Sequence, residues 1–261
     1  MRSYKPPMSS EKSHPTLMRD RNRDSWNTER YDLWVSAYGA PEVEAARLVA
    51  DPENKVRRLL PYLGEVAGKR ICNIQGSHGR VAVALAVLGA DVTVIDFAEE
   101  NRRYALELAA RAGVVIDYLL GDVIEAGSLG LNGTFDALAM ELGILHYHHD
   151  LGRFFAVMAD LAKPGGRMVL NEFHPVERKL FTAPGVLHDY FSAEVVMGAT
   201  PDPTSQGRDL GQCALRFWTL GEVVTTAIGA GFVIERLEEL PSWTDPIIPG
   251  MFTLVAVKAA S

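Results

Sequence analysis

From position 70 onward, short runs of apolar residues alternate with longer stretches whose apolar positions recur every three or four residues, the pattern of strands exchanging with helices. Strands are predicted over 70–75, 91–96, 115–120, 135–141 and 167–173, and helices over 79–89, 98–112 and 150–162. Such alternation with short breaks points to parallel strands joined by crossover helices. Positions 175–217 interrupt the rhythm with Pro184, Pro201, Pro203 and Gly207 and read as an insertion over the strand ends, a lid. A helix resumes over 219–229, where Thr219 and Glu222 stand in the relation of a capping box. Two closing strands, 232–239 and 251–258, are linked by a Pro-rich turn with no room for a helix, so they should pair antiparallel. The expected fold is α/β: a seven-stranded, mostly parallel sheet with an antiparallel last strand and helices on both faces.

Ahead of the sheet, residues 1–22 mix Pro, Ser, Lys and Arg without periodicity, a composition that cannot bury enough surface to offset its ordering entropy. A mobile tail is predicted there. Asn27, Tyr31, Trp34 and Tyr38 then form one aromatic stripe at helical spacing, which something must cover. With two further short helical patterns, 41–50 and 56–63, this makes an N-terminal helical cap over 23–63 ahead of a main domain over 64–261.

The 261 residues, 48% apolar and 23% charged, suit one large domain. A formal net charge of -7 opposes the basic face of most nucleic-acid binders, so a small substrate is expected and nucleic acid is not. The longest uncharged runs, such as 81–90, are about half the roughly twenty residues of a membrane span. The first thirty residues have no apolar core and do not form a secretory signal, so a cytoplasmic protein without membrane contact is expected. Cys72 and Cys213 are too few for a disulfide framework or a thiolate zinc site and read as small core residues.

In open α/β sheets ligands bind beyond the carboxyl ends of the strands, where strand order reverses. The first strand exits into Gly76-Ser77-His78-Gly79, where glycine permits a tight turn and a close approach of backbone amides to a ligand. The second ends in Asp96, about twenty residues beyond Gly76, the interval at which a carboxylate reaches both hydroxyls of a ribose. Phe97 follows and can lie against an adenine face. The third delivers Gly121-Asp122-Val123, the fourth Glu141-Leu142-Gly143 and then His146, and the fifth, after Lys163-Pro164-Gly165-Gly166, ends at Glu172, Phe173 and His174. Each also has a plain structural reading: Asp96 as a helix cap, Asp122 as a turn residue, Glu141 as a surface carboxylate, and the aromatic stripe as core.

Taken in order, these motifs resemble the class I S-adenosylmethionine-dependent methyltransferases, whose glycine loop, ribose acid, third-strand Asp and L-K-P-G-G turn occur in this sequence. The likeness covers about residues 25–258 and implies a Rossmann-like sheet with its last strand reversed. The stretches NIQGSHGRVAVALAVLGADVTVIDFAEEN and MELGILHYHHDL are similar to a bacterial small-molecule branch. The loop departs from the family's D-x-G-x-G-x-G: Asn73 replaces the acid, Gln75 the first glycine and Ser77 the second, and Gly79 alone keeps register. Carried over, the resemblance places Gly76, Ser77 and Gly79 on the methionine and ribose portion, Asp96 on the ribose, and Phe97 and Asp122 with Val123 on the adenine. It places Leu142 on the methionine moiety and Tyr31 over the cofactor. Asn73 is neutral and can hydrogen-bond the donor's amino group without pairing with its charge; Glu141 is the candidate to supply that charge.

The resemblance implies methyl transfer from S-adenosylmethionine to a small-molecule acceptor, with S-adenosylhomocysteine as product. Positioning supplies much of the rate, and a base is needed only where the nucleophile carries a proton. The base candidates are His146, Glu172 and His174. His188, Tyr190, Phe191, Arg216 and Trp218 are candidates for shaping the acceptor pocket. His146, His148 and His149, with Glu141, Glu172 and His174, also admit a metal, but the H-x-H-H spacing is a poor ligand motif and none is expected. Two alternatives are a nicotinamide-dependent oxidoreductase, against which Gly76-x-x-Gly79 is not G-x-G-x-x-G, and a non-catalytic nucleoside-binding protein. The aromatic N-terminal helix could also mediate a homodimer.

Overall fold

The computed structural model describes residues 14–181, 188–199 and 207–260. Five helices form the cap: α1 (His14–Trp26), α2 (Arg30–Tyr38), α3 (Pro41–Ala50), α4 (Pro52–Val56) and α5 (Leu60–Leu63). The sheet then alternates β1 (Arg70–Ile74), α6 (Arg80–Val87), β2 (Asp91–Asp96), α7 (Glu99–Ala112), β3 (Asp117–Leu120), β4 (Phe135–Glu141), α8 (Leu151–Leu161) and β5 (Ala162–Phe173). A small antiparallel ribbon follows, β6 (Val195–Ala199) with β7 (Gln212–Arg216), and then α9 (Leu220–Gly229), β8 (Phe232–Pro241) and β9 (Pro249–Lys258) close the fold.

The main sheet has the order β3-β2-β1-β4-β5-β9-β8. Strands β1 to β5 are parallel, and β9 runs antiparallel to both β5 and β8, as the Pro-rich turn required. The order reverses between β1 and β4, which opens a crevice beyond their carboxyl ends. Alternate strand residues bury on opposite faces. Ile71, Val94, Ala139 and Val169 pack with α3, α6 and α7, whereas Cys72, Ile95, Leu138 and Leu170 pack with α8 and α9. Covering both faces explains why these strands read as continuous apolar runs; each large side chain so buried contributes roughly 1.5–3 kcal/mol.

Several boundaries differ from expectation for visible reasons. Strand β5 begins at Ala162 because Ala162 pairs with Phe135 before a bulge, so the Lys163-Pro164-Gly165-Gly166 turn lies inside the strand. Thr219 caps α9 with both hydrogen bonds of the capping box. The tail predicted through Asn22 is helical from His14, while residues 1–13 lie outside the described ones. What orders α1 is polar: the buried Asn22 amide donates to Ala214 O at 3.2 Å and accepts from Ala214 N at 2.8 Å, taking the place of a neighbouring strand beside β7. Ser25 Oγ donates to Leu210 O at 2.6 Å. Hydrophobic periodicity does not report anchors of this kind. Of the lid insertion, the turn Val176–Leu180 and the β6–β7 ribbon are described; 182–187 and 200–206 are not.

Candidate active site

A cavity of about 310 Å³ occupies the crevice between the ends of β1 and β4 and is roofed by the cap. That is within the usual range for small-molecule sites, roughly 300–1,000 Å³. Its floor is Asn73, Gln75, Gly76 and Ser77 from the β1 exit, Asp96 and Phe97 from β2, and Glu141, Leu142 and Gly143 from β4. Its roof includes Trp26, Trp34, Tyr38, Lys55 and Arg58. A smaller cavity adjoins it through Gln75, Asp96, Phe97 and Tyr147 and reaches Asp122 and Val123.

The loop after β1 keeps a left-handed backbone at all three glycine positions of the family pattern, although two of them carry side chains: φ is 48° at Gln75, 48° at Ser77 and 75° at Gly79. An L-residue there costs about 1–2 kcal/mol. Tethers hold the strained pair. Gln75 N donates to Ile95 O, and its Oε1 lies 2.7 Å from Nε2 of the buried His148. Ser77 N donates to Asp96 Oδ2 at 3.1 Å, while Ser77 O accepts from the Tyr118 hydroxyl at 2.9 Å. Gly76 must be glycine for a different reason: a Cβ there would lie 2.4 Å from Asn73 Oδ1 and 2.9 Å from Val94 Cγ1.

Asp96 is buried, and its carboxylate accepts from the amides of Ser77 and Ala98 and from Asn101 Nδ2. Burial pushes its pKa up to about 6 against the pull of those donors. Two buried polar atoms of residues lining this site, Asn73 Oδ1 and Ser77 Oγ, have no hydrogen-bond partner among the described residues. Asn73 Nδ2 is engaged with Ala139 O, so its orphan is an acceptor. A buried carboxylate and an aromatic ring bordering one crevice suit a nucleoside with hydroxyl donors and a flat base.

The remaining candidates fall in different places. Asp122 borders the smaller cavity, caps Ile124 N and pairs with Arg19 from α1 at 3.1 Å. Glu141 lines the main cavity but is already paired with Lys55, with Arg58 at 3.9 Å. Tyr31 is not over the cavity. Residues 27–29 break the aromatic stripe between α1 and α2, and the Tyr31 hydroxyl donates to Glu107 on α7 at 2.5 Å. Of the stripe, Trp34 and Tyr38 reach the cavity, with Trp26 of α1 beside them, stacked on Trp34.

None of the three proposed bases lines the main cavity. Glu172 is buried, with Oε1 accepting from Gly143 N and Phe173 N and Oε2 from Ile144 N and Leu145 N, at 2.7–3.0 Å. Every strong acceptor direction of that carboxylate is used to shape the β4 exit. His174 is also buried; Nδ1 accepts from Val176 N, and Nε2 lies 2.7 Å from Glu239. His146 borders a third cavity with Phe173, Arg178 and Trp218, its Nε2 without a partner among the described residues, and burial lowers its pKa to about 3. Among the described residues no three His, Cys, Asp or Glu side chains are grouped to hold a metal. Both cysteines are buried, and neither forms a disulfide among the described residues.

Residues 73–170 match the family model of a methyltransferase domain. The match runs from β1 to within β5, the part of the chain that carries the crevice. Among curated relatives, the ubiquinone biosynthesis O-methyltransferase of Bordetella bronchiseptica is 28% identical over 145 residues, 56% of this chain and 59% of that protein. That of Methylocella silvestris is 36% identical over 142 residues, 54% and 52% of the two chains. The chain thus spans little more than half the length of the curated relatives it matches. The structure of magnesium protoporphyrin IX methyltransferase from Synechocystis, with bound S-adenosylmethionine, superposes with a TM-score of 0.60 at 17% identity, covering 96% of this chain and 100% of that one, and shares the fold.

Sequence reasoning missed Lys55, Arg58, Arg80, His78, Tyr147 and Phe173, all at the cavity. Lys55 is 86 positions from its partner Glu141, and no local pattern marks the pair.

Proposed function

We propose that this chain binds S-adenosylmethionine in the β1/β4 crevice and transfers its methyl group to a small-molecule acceptor. The single observation that carries this reading is Asp96: a buried carboxylate at the end of β2, held in place by the Ser77 amide of the left-handed loop and by the Ala98 amide, and bordering both cavities. It would accept from the ribose hydroxyls. Phe97, Asp122 and Val123 would line the adenine, and Gly76, Ser77, Gly79 and Leu142 the ribose and methionine portion. Asn73 Oδ1 and Glu141 would take the amino group.

The bound donor supplies an activated methyl on a sulfonium, open to in-line displacement. The chain's own part is then positioning and exclusion of water: the roof of Trp26, Trp34 and Tyr38 and the shared Phe173 wall enclose the crevice. Glu172 orients the β4 exit through its backbone hydrogen bonds. His174 stands behind it as a structural residue. His146 is the remaining candidate to contact an acceptor, from the adjoining cavity. The charge balance and cysteines without a disulfide among the described residues suit a cytoplasmic protein, and no described helix is long and apolar enough to cross a membrane.

Calorimetry tests the reading. S-adenosylhomocysteine should bind and NADH should not, with formation of S-adenosylhomocysteine from S-adenosylmethionine when hydroxylated aromatic acceptors are supplied. Preference for NADH would return the oxidoreductase alternative; donor binding without turnover on any acceptor would return the nucleoside-binding one.

A further inference from the structure

The third cavity adjoins the main one at Phe173, which lines both. Their walls meet at the β4 exit: a Cβ on Gly143, which lines the main cavity, would lie 3.7 Å from His146 Cε1 and 3.8 Å from Phe173 Cε2. The third cavity measures about 30 Å³, with a largely aromatic wall of Phe173, Phe217, Trp218 and Phe252. A water needs roughly 10–15 Å³ of such space, so there is room for two waters or a carboxylate and none for a ring. The charge in that wall is not balanced. Other cations around the crevice have carboxylates: Lys55 and Arg58 share Glu141, Arg80 has Glu44, Arg19 has Asp122, and Arg216 has Glu222 at 3.8 Å. Arg178 has none among the described residues; its Cζ lies 3.9 Å from the Phe173 ring centroid, and its buried Nε is without a partner. Glu172, in the same wall, is committed to four backbone amides. His146 is 6% exposed, and its Nε2 also lacks a partner among the described residues. Burial and the Arg178 charge hold that imidazole neutral, so it carries one N–H.

A cation and an imidazole left without partners in an aromatic wall cost free energy until a ligand satisfies them. We infer that the third cavity is an anion subsite for the methyl acceptor: Arg178 and His146 hold a carboxylate there, while the acceptor's nucleophile reaches past Phe173 into the main cavity. This rests on the donor reading above. The planar guanidinium offers parallel N–H groups that match the two oxygens of a carboxylate, and His146 adds a third donor in the tautomer that carries its proton on Nε2. A neutral amide of the same shape brings an NH2 group against these donors and no charge for Arg178. Phosphate is bulkier than the space and has more oxygens than the wall has donors. His146 then serves the acceptor as a hydrogen-bond donor, and the acceptors selected are those carrying a carboxylate apart from the atom that is methylated.

The test is calorimetry on the full chain with benzoate, benzamide and inorganic phosphate as probes, each with and without saturating S-adenosylhomocysteine. Wild type should bind benzoate at least tenfold more tightly than either of the others. Arg178→Met should bring benzoate down to the level of benzamide, and Arg178→Lys should restore part of the loss. His146→Phe should weaken benzoate at least threefold and leave benzamide within twofold. Lys55→Met, which alters the other cationic wall, should leave benzoate within twofold, and Arg178→Met should leave S-adenosylhomocysteine within twofold. A circular-dichroism melt of each variant checks folding, and the wild-type comparison of probes needs no variant. Equal affinity of wild type for benzoate and benzamide, or no benzoate binding, would overturn the inference, as would benzoate lost in Lys55→Met and kept in Arg178→Met. Phosphate bound more tightly than benzoate overturns the assignment to a carboxylate. Failure of S-adenosylhomocysteine to bind refutes the donor reading, whereas the benzoate comparison on the unliganded chain still decides whether the anion subsite exists.

Discussion

Gly79→Ala tests how rigidly the left-handed loop is held against the helix behind it. Gly79 opens α6 with φ 75°, and a Cβ there would lie 2.5 Å from Ala105 Cβ and 3.1 Å from Ala105 Cα on α7. The left-handed backbone costs an L-residue about 1–2 kcal/mol. Ala105 is fully buried and the contact involves its backbone, so no flexible side-chain end can move aside, and overpacking adds about 1–3 kcal/mol. The narrower unfolded ensemble of alanine returns roughly 0.4–1 kcal/mol. The expected net loss is about 1–4.6 kcal/mol, a large share of a typical 5–15 kcal/mol stability. Urea unfolding followed by circular dichroism should show a lower midpoint at unchanged slope. Ala105→Gly alone should cost about 1 kcal/mol in its helix, but the double variant should recover the overpacking portion, a coupling of about 1–3 kcal/mol. An unchanged midpoint for Gly79→Ala would refute the packing argument. Strict additivity would show that the loop, not α7, absorbs the added methyl.

The other predictions concern charge. Donor affinity should fall below about pH 6, because ribose hydroxyls donate to ionised Asp96, whose pKa is raised to about 6 by burial. Calorimetry between roughly pH 5 and 8 should show up to tenfold weaker S-adenosylhomocysteine binding per unit below that value, and a weaker but flat profile for Asp96→Asn. The sign for folding is opposite: ionising a group whose folded pKa is raised costs stability, so the Asp96 contribution is greatest below its ordinary pKa of 3.8 and is lost as pH rises through about 6. Glu172→Gln should lower stability by about 2–6 kcal/mol, since the new NH2 group faces two backbone donors in place of an acceptor. A melting temperature equal to wild type with turnover abolished would instead make Glu172 a base.

The strands, the reversed final strand, the capping box at Thr219 and the ends of β2 and β4 were all legible from periodicity and turn residues, because each is decided by neighbours within a few positions. The crevice followed from strand order, and Asp96 and the β1 loop were legible by their spacing within one strand-helix-strand unit. Three things were decided only by the folded chain. The loop stays left-handed at Gln75 and Ser77, where two of the family's three glycines are missing, because His148, Asp96 and Tyr118, outside the loop, tether them. Glu172 became an amide-binding brace and His146 a buried neutral imidazole because solvent exclusion and hydrogen-bond partners, not residue type, set what a titratable group can do. The charged roof of Lys55 and Arg58, and the docking of α1 through Asn22 on Ala214, join residues 83–192 positions apart by polar contacts. Local patterns record which face of a segment is apolar; they carry no record of which distant polar group completes it.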